Sequence, residues 1–335
     1  MRGPPGGAAW GTLVVFTTAA LGVIRFATPA HPAPRTPFAA IAAAHLSAGP
    51  GPNAFGDSRA VRVRFTLPGA EVEFPIEVSG DPSTLTYEWT RGQDSAADVP
   101  RPLAGTSFIA PATPGFYHLV LVRGIERQVI AEPTLAVLVP FSEKMGSMLN
   151  GYHIGTYLAE RLTAHDRPAG FLEVRPTDVA LRVSTHLKLG DFITHDAQGA
   201  VWPKYVALNP RLLDKLELVL EKIGSEARLL QPDDSAPEVA FDVHSGFRTP
   251  AHNKVVRRSA RDSRHQYGDA ADLAIDADGD GRVTVKDAAL VARAVDEVEE
   301  EHPDLVGGLG LYTSRRYRTP YVHIDARGKR SRWKG

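Results

Sequence analysis

The stretch that decides the fold reads Ser263-Arg264-His265-Gln266-Tyr267-Gly268-Asp269-Ala270-Ala271-Asp272 and continues into Leu273-Ala274-Ile275. Successive side chains of a β-strand point to opposite faces, so Leu273 and Ile275 enter a core while Asp272 faces a cleft. The run therefore predicts a turn that carries His265, followed by a strand that carries Asp272.

Two other segments share this polar and apolar alternation. Residues 239–243 alternate like a half-buried strand and run into Ser245-Gly246-Phe247-Arg248-Thr249-Pro250, a turn that places Arg248 at the end of the strand. Near the C-terminus, Tyr321-Val322-His323-Ile324-Asp325 predicts a second strand, with an imidazole and a carboxylate on one face.

Together these segments resemble a known enzyme family. The pattern S-x-H-x-x-G-x-A-x-D, with the arginine turn before it and V-H-I-D after it, is similar to the M15 family of zinc D-Ala-D-Ala peptidases, in its murein-endopeptidase branch. The resemblance covers the chain from about Asn150 to the end. It implies an α+β zinc peptidase domain of the Hedgehog/DD-peptidase-like fold over residues 181–335, with His265, Asp272 and His323 as zinc ligands.

The composition restricts the chemistry of such a site. The chain has no cysteine, so any metal must be held by histidines and carboxylates. A catalytic zinc takes about three protein ligands and leaves one position for water, whose pKa it lowers to roughly 7. The formal net charge of −1 gives no global field that would attract nucleic acid.

Further roles follow from the resemblance. Arg248 corresponds to an arginine that binds carboxylate or carbonyl groups of the peptide, and Ser263 and Tyr267 either support the loop or donate to substrate. Many relatives carry an acidic base three residues before the third ligand, where this chain has Pro320. Asp325 is therefore the candidate base, or it orients a ligand imidazole from behind.

A second metal site is predicted directly after the zinc motif, in residues 276–287. The spacing matches a twelve-residue calcium loop, with glycine at position 6 and aspartate, rather than the usual glutamate, at position 12. The predicted calcium ligands are Asp276, Asp278, Asp280, the carbonyl of Arg282, Thr284 and Asp287. A helix from about Val285 to Glu301 should follow, with Ala289, Val291, Val295 and Val298 facing inward.

The rest of the chain predicts export and a separate N-terminal unit. Residues 1–27 contain an apolar stretch typical of a signal peptide or membrane anchor, and residues 28–57 form an Ala/Pro-rich linker. Residues 58–141 show short alternating runs typical of a small immunoglobulin-like β-sandwich with Trp89 in its core. Residues 142–180 are predicted as a connector, and Asn209-Pro210 as the start of an amphipathic helix.

The sequence thus predicts an exported, periplasmic or envelope-bound zinc peptidase that acts on peptidoglycan stem peptides, as an endopeptidase or a D,D-carboxypeptidase, with a structural calcium. Two other classes stay open at this point. One is an inactive wall-peptide-binding protein of the same fold, and the other is a calcium-dependent adhesion or scaffold protein.

Overall fold

The computed structural model describes residues 39–41, 60–74, 76–91, 95–96, 99–105, 107–162, 166–230 and 239–335, all within one compact unit, Pro37–Gly335. This part is mixed α/β, with mostly sheets and few helices. The predicted leader at residues 1–27 and most of the predicted linker lie outside the described residues. None of the helices in the described part is long and apolar enough to cross a membrane.

The described residues form twenty strands and three α-helices. The strands are β1 (Ala39–Ile41), β2 (Val63–Thr66), β3 (Glu71–Glu73), β4 (Ile76–Val78), β5 (Thr86–Arg91), β6 (Ser95–Ala96), β7 (Arg101–Pro102), β8 (Ser107–Ile109), β9 (Gly115–Arg123), β10 (Glu126–Val137), β11 (Val139–Pro140), β12 (Met148–Leu149), β13 (Tyr152–His153), β14 (Gly170–Val174), β15 (Lys204–Val206), β16 (Phe241–Ser245), β17 (Ala270–Ile275), β18 (Gly308–Tyr312), β19 (Tyr321–Asp325) and β20 (Ser331–Lys334). The α-helices are α1 (Pro210–Leu230), α2 (Pro250–Asn253) and α3 (Val285–Glu301).

The N-terminal strands build a core around one tryptophan. Strands β2-β10-β9-β5-β6 form one sheet, with β7 also on β5, while β3 pairs with β8 and β1 with β4. Trp89 of β5 is fully buried, its ring meets Phe74 edge to face at 5.4 Å, and its Nε1 donates to the Ile109 carbonyl at 2.8 Å. These contacts give the indole both apolar packing and a hydrogen-bond partner.

The segment predicted as a connector is built into the fold. It contains β12, β13 and β14, and β14 pairs with both β11 and β15. Its buried side chains Tyr152 and Phe171 belong to the same large core as Val63 and Phe65 of β2. The alternation over these residues is too short to predict strands, because each strand spans only two to five residues.

A five-stranded sheet in the order β16-β17-β19-β18-β20 carries the predicted metal residues. Leu273, Ile275 and Val322 on one face lie beside Ala288 and Val291 of α3. Because side chains alternate along a strand, the other face of β17 and β19 carries Asp272 and His323, as the sequence predicts.

Two helices back this sheet. Helix α1 begins at Pro210 with the Asn209 side chain accepting from the amide of Arg211 at 3.0 Å. Its apolar face is buried and consists of Leu212, Leu216, Val219 and Ile223. Helix α3 has the predicted bounds, but Ala289 is exposed and Ala288 takes the inward position. The two helices pack together, and buried Lys215 of α1 donates to Glu299 of α3 at 2.7 Å.

Gly268 joins the motif turn to α1 and allows no side chain. It lies at φ 71°, its carbonyl accepts from the amide of Asn209 at 2.8 Å, and an added Cβ would overlap the carbonyl of Ala207. Gly328 has a similar φ of 77° but has open space around its Cα. Substitutions at these two glycines can therefore distinguish the cost of steric overlap from the cost of a strained backbone.

Gly268→Ala should lower the free energy of unfolding by about 3 kcal/mol or more, because it adds overlap to strain. Gly328→Ala should cost only about 1 kcal/mol, from the positive φ alone. Denaturant unfolding of both variants measures the difference, and equal losses would contradict the role of Gly268.

Candidate metal centre

Three side chains from distant parts of the chain meet at one point. His265 Nε2 lies 3.2 Å from Asp272 Oδ1 and 3.2 Å from His323 Nδ1, and the last two atoms are 2.9 Å apart. Ligand atoms on a tetrahedral zinc at 2.0–2.2 Å are roughly 3.3–3.6 Å apart, so the triangle is close to the size that an ion requires. The three predicted ligands therefore share one potential metal site.

The sheet register and the preceding turn set this triangle. Asp272 of β17 stands directly opposite His323 of β19, so their side chains leave the sheet side by side. His265 comes from the 3-10 turn Arg264–Tyr267, and its Nδ1 lies 2.7 Å from the carbonyl of Gly246. A carbonyl only accepts, so Nδ1 carries the proton and Nε2 presents a lone pair to the site.

Asp325 lies behind His323 and not beside the open side of the triangle. Its Oδ2 is 3.1 Å from Nε2 of His323, the ring nitrogen opposite the one that faces Asp272. It is fully buried and accepts from the amide of Gly308 at 2.7 Å and from the guanidinium of Arg327 at 2.9 Å. Of the two predicted roles of Asp325, this geometry favours the second, in which the carboxylate orients the imidazole.

Arg248 binds the carboxylate of Asp272, one of the three predicted zinc ligands. Its Nη2 donates to Asp272 Oδ2 at 2.5 Å, and its Nε donates to the Ser245 hydroxyl at 2.8 Å. The two oxygens of Asp272 are thus divided, with Oδ1 toward the histidines and Oδ2 toward Arg248. Part of the guanidinium predicted to bind substrate therefore already binds Asp272, a predicted zinc ligand.

Ser263 and Tyr267, the other predicted substrate-binding residues, support the turn. The carbonyl of Ser263 accepts from the amide of Gln266 at 3.0 Å, and the hydroxyl of Tyr267 donates to Asp262. The ring of Tyr267 is buried, 6.0 Å from the ring of Tyr157 and under the guanidinium of Arg264. The structure therefore fits loop support, one of the two predicted roles.

A cluster of aromatic side chains beside the triangle was not predicted from the sequence. The rings of Tyr312 and Tyr321 stack at 4.5 Å, His244 lies 5.7 Å from Tyr321, and Trp333 lies 5.1 Å from His323. Tyr321 could have been found, because it precedes His323 by two residues and shares its face. Trp333 gave no such signal, since its place over Gly310 depends on the parallel pairing of β18 with β20.

The electrostatics of the triangle favour a cation. Burial would raise the pKa of Asp272, yet the neighbouring histidines hold it well below its usual value. Burial lowers the pKa of His265, whereas the pKa of His323 is raised against burial by Asp272 and Asp325. An ionised carboxylate and two imidazoles in this arrangement match the nitrogen and oxygen ligands that zinc prefers.

The acidic loop brings together three of its four predicted carboxylate ligands. Oxygens of Asp276, Asp278 and Asp287 lie within 4.8 Å of one another, and Gly281 has the positive φ of 83° expected at position 6. Asp280 is not in this group, and its Oδ1 accepts from the amide of Arg282 at 2.9 Å. This group of three acids is therefore the part of the loop with the geometry of a cation site.

Asp287 and Thr284 also organise the start of α3. The Thr284 hydroxyl donates to Asp287 Oδ2 at 2.7 Å, and the amides of Ala277 and Thr284 donate to the same carboxylate at 2.9 and 2.7 Å. The bond from the Thr284 amide is one half of a capping box at the helix N-terminus. Asp287, at position 12 of the predicted calcium loop, therefore also stabilises the start of α3.

Comparisons with known proteins add little. No family model matches the chain, and no curated protein matches it. Among solved structures, Sidekick-1 immunoglobulin domains 1-5 is similar with a TM-score of 0.17 and 17% identity, over 24% of this chain and 16% of that one. A TM-score this low carries no argument about fold or function.

Proposed function

We propose that the chain is a zinc-dependent peptidoglycan peptidase that hydrolyses D-Ala-containing stem peptides or cross-links. The proposal includes the finer fold, an α+β DD-peptidase-like domain after an immunoglobulin-like sandwich, and export to the cell envelope. The observation that supports it is the triangle of His265 Nε2, Asp272 Oδ1 and His323 Nδ1, with separations of 2.9–3.2 Å. The choice of the peptidase family rests on the resemblance of the sequence motif and its spacing to that family.

The residues around the triangle have distinct tasks in this proposal. Bound zinc would polarise the peptide carbonyl and activate water. Arg248 holds Asp272 in place and, through the rest of its guanidinium, can bind a carbonyl or carboxylate of the substrate. Tyr312 and Tyr321 form a shelf of stacked rings beside the site, against which a peptide can lie.

One observation favours the alternative of an inactive wall-peptide-binding protein. A peptidase of this type needs a group to take the proton from water. Among the described carboxylates, Asp272 is a ligand and Asp325 is turned away behind His323, while Pro320 stands where relatives carry an acid. The binding protein would keep the metal and the peptide shelf but release no fragments.

We also propose that Asp276, Asp278 and Asp287 hold a structural calcium. The three carboxylates converge where β17 leads to α3, so mutual repulsion would disturb both elements without a cation. Lys286, which pairs with Asp278 at 2.7 Å, offsets only part of this charge.

Hydrolysis of purified cell walls tests the zinc proposal. The zinc-loaded chain should release soluble peptide fragments, and a zinc-selective chelator in excess calcium should stop the release. His323→Ala should lose both zinc and activity, whereas His153→Ala, an exposed histidine outside the site, should keep both. Fragment release that persists without zinc refutes the proposal, and bound zinc without release selects the binding protein.

The Asp325→Asn variant distinguishes two roles of Asp325, orientation of the His323 imidazole and general-base catalysis. If Asp325 orients His323, the variant should bind zinc roughly 10- to 100-fold more weakly. Asp304→Asn, at an exposed position, is the matched control. Titration against a chromogenic chelator gives the affinity. An unchanged zinc affinity combined with lost hydrolysis would favour the base role instead.

Calcium should raise the melting temperature of the chain. At a calcium concentration about 100 times the Kd, the stabilisation is about 2.7 kcal/mol by mass action. Asp278→Asn should weaken this response, because it removes one of the three converging carboxylates, and Asp304→Asn should retain it. Thermal unfolding with and without calcium measures this effect. A wild-type melting temperature that calcium does not change would contradict the calcium proposal.

A further inference from the structure

His244 occupies a bulge in β16, beside the strand residue that stands opposite Asp272. In the pairing of β16 with β17, Val243 faces Leu273 and Ser245 faces Asp272, so His244 is an extra residue without a counterpart in β17. Such a bulge re-aims a side chain and is common next to functional sites. The direction of His244 is therefore set by the bulge and not by the alternation of the strand.

The imidazole of His244 lies on the face of the sheet that carries the triangle of metal ligands. Its ring centre is 5.7 Å from that of Tyr321, which shares one face of β19 with His323. Between these two strands, β17 carries Ala274 on this face, and its small side chain leaves room for both rings. The side chain of His244 is 34% exposed, so a molecule at the metal centre can reach it.

A carboxylate lies beside one nitrogen of this ring. Oδ2 of Asp242, two residues earlier in β16, is 3.1 Å from Nε2 of His244. A negative charge next to Nε2 favours the proton on that nitrogen and leaves the lone pair on Nδ1. Among the described residues, none donates a hydrogen bond to Nδ1. The ring therefore has one nitrogen that can accept a proton.

The other ionisable side chains around the triangle are poor proton acceptors. Asp272 is a predicted ligand, and Asp325 lies behind a ligand imidazole. Arg248 is permanently charged. Burial and the nearby Asp272 raise the pKa of Tyr321, so its phenol stays protonated at neutral pH. Histidine is the side chain that most often exchanges protons near neutral pH, which leaves His244 as the suitable group.

We infer that His244 is a catalytic residue, the proton acceptor that this chain uses where its relatives use an acid. Those relatives carry the acid at the position of Pro320. The ring of His244 packs beside Tyr321, the direct neighbour of Pro320, and so reaches the same region from another strand. The inference rests on the proposed peptidase function and names the group that takes the proton.

The proton transfers in this reaction balance. The oxygen of a water molecule forms the new bond to the peptide carbonyl carbon, and one proton of that water moves to Nδ1 of His244. The same proton then passes to the amine nitrogen as the carbon–nitrogen bond breaks. The products are a carboxylic acid and an amine, and His244 returns to its starting state.

The His244→Ala variant of the full zinc-loaded chain tests this role, with purified cell walls as the substrate. It should bind zinc as tightly as the wild type, because His244 is not a ligand, but release fragments about 100-fold more slowly. Added imidazole should restore part of the rate, since a diffusible base can take the proton, and should not accelerate the wild type. His153→Ala, at an exposed histidine outside the site, should keep the wild-type rate with and without imidazole.

Three results would overturn the inference, and they differ in their consequence for the peptidase proposal. If the wild-type chain releases no fragments, the peptidase proposal fails together with the role of His244. If His244→Ala keeps the wild-type rate, only the role of His244 is refuted. If the variant loses zinc affinity along with activity, or gains nothing from imidazole, His244 has a structural role only. The melting temperature of the variant shows whether it is folded.

Discussion

The register between β17 and β19 is the constraint on which the candidate site depends. Asp272 faces His323 across this pair of strands, and a shift by one residue would turn one of the two side chains into the core. The core itself prevents that shift, because Leu273, Val322 and Ile324 are buried on the opposite face. Apolar packing on one face thus positions the polar side chains on the other.

Layers of buried charge hold the site from behind. Asp325 links Nε2 of His323 to Arg327, and its backbone carbonyl accepts from Lys215 at 2.8 Å. Lys215 also contacts Glu299, so α1, α3 and β19 share one network. A buried charge is tolerated only when it is paired and hydrogen-bonded, and this network satisfies both conditions. It fixes the direction of the imidazole more firmly than a solvent-exposed contact could.

The sequence predicted the faces of the strands but not the direction of each polar group. Alternation placed His323 and Asp325 on one face, yet it could not show that Asp325 would approach the far nitrogen of the ring. Likewise, it could not show that Arg248 would hold Asp272. Such contacts depend on side-chain rotamers and on neighbouring strands that are distant along the chain.

Helices were easier to predict than short strands. Helices α1 and α3 have long apolar periodicity and clear capping residues, and their predicted starts match the structure. The neighbouring Ala288 and Ala289 show the limit, since a small residue gives little signal about which side faces inward. The short strands β12 and β13 have too few residues for any periodicity.

The proposed function depends on one ion bound by two imidazoles and one carboxylate. X-ray absorption at the zinc edge of the purified, zinc-loaded chain measures that shell directly. We expect two imidazole nitrogens and a carboxylate oxygen at about 2.0–2.2 Å, with one further light-atom ligand. A spectrum without imidazole scattering, or one unchanged in His265→Ala, would contradict it.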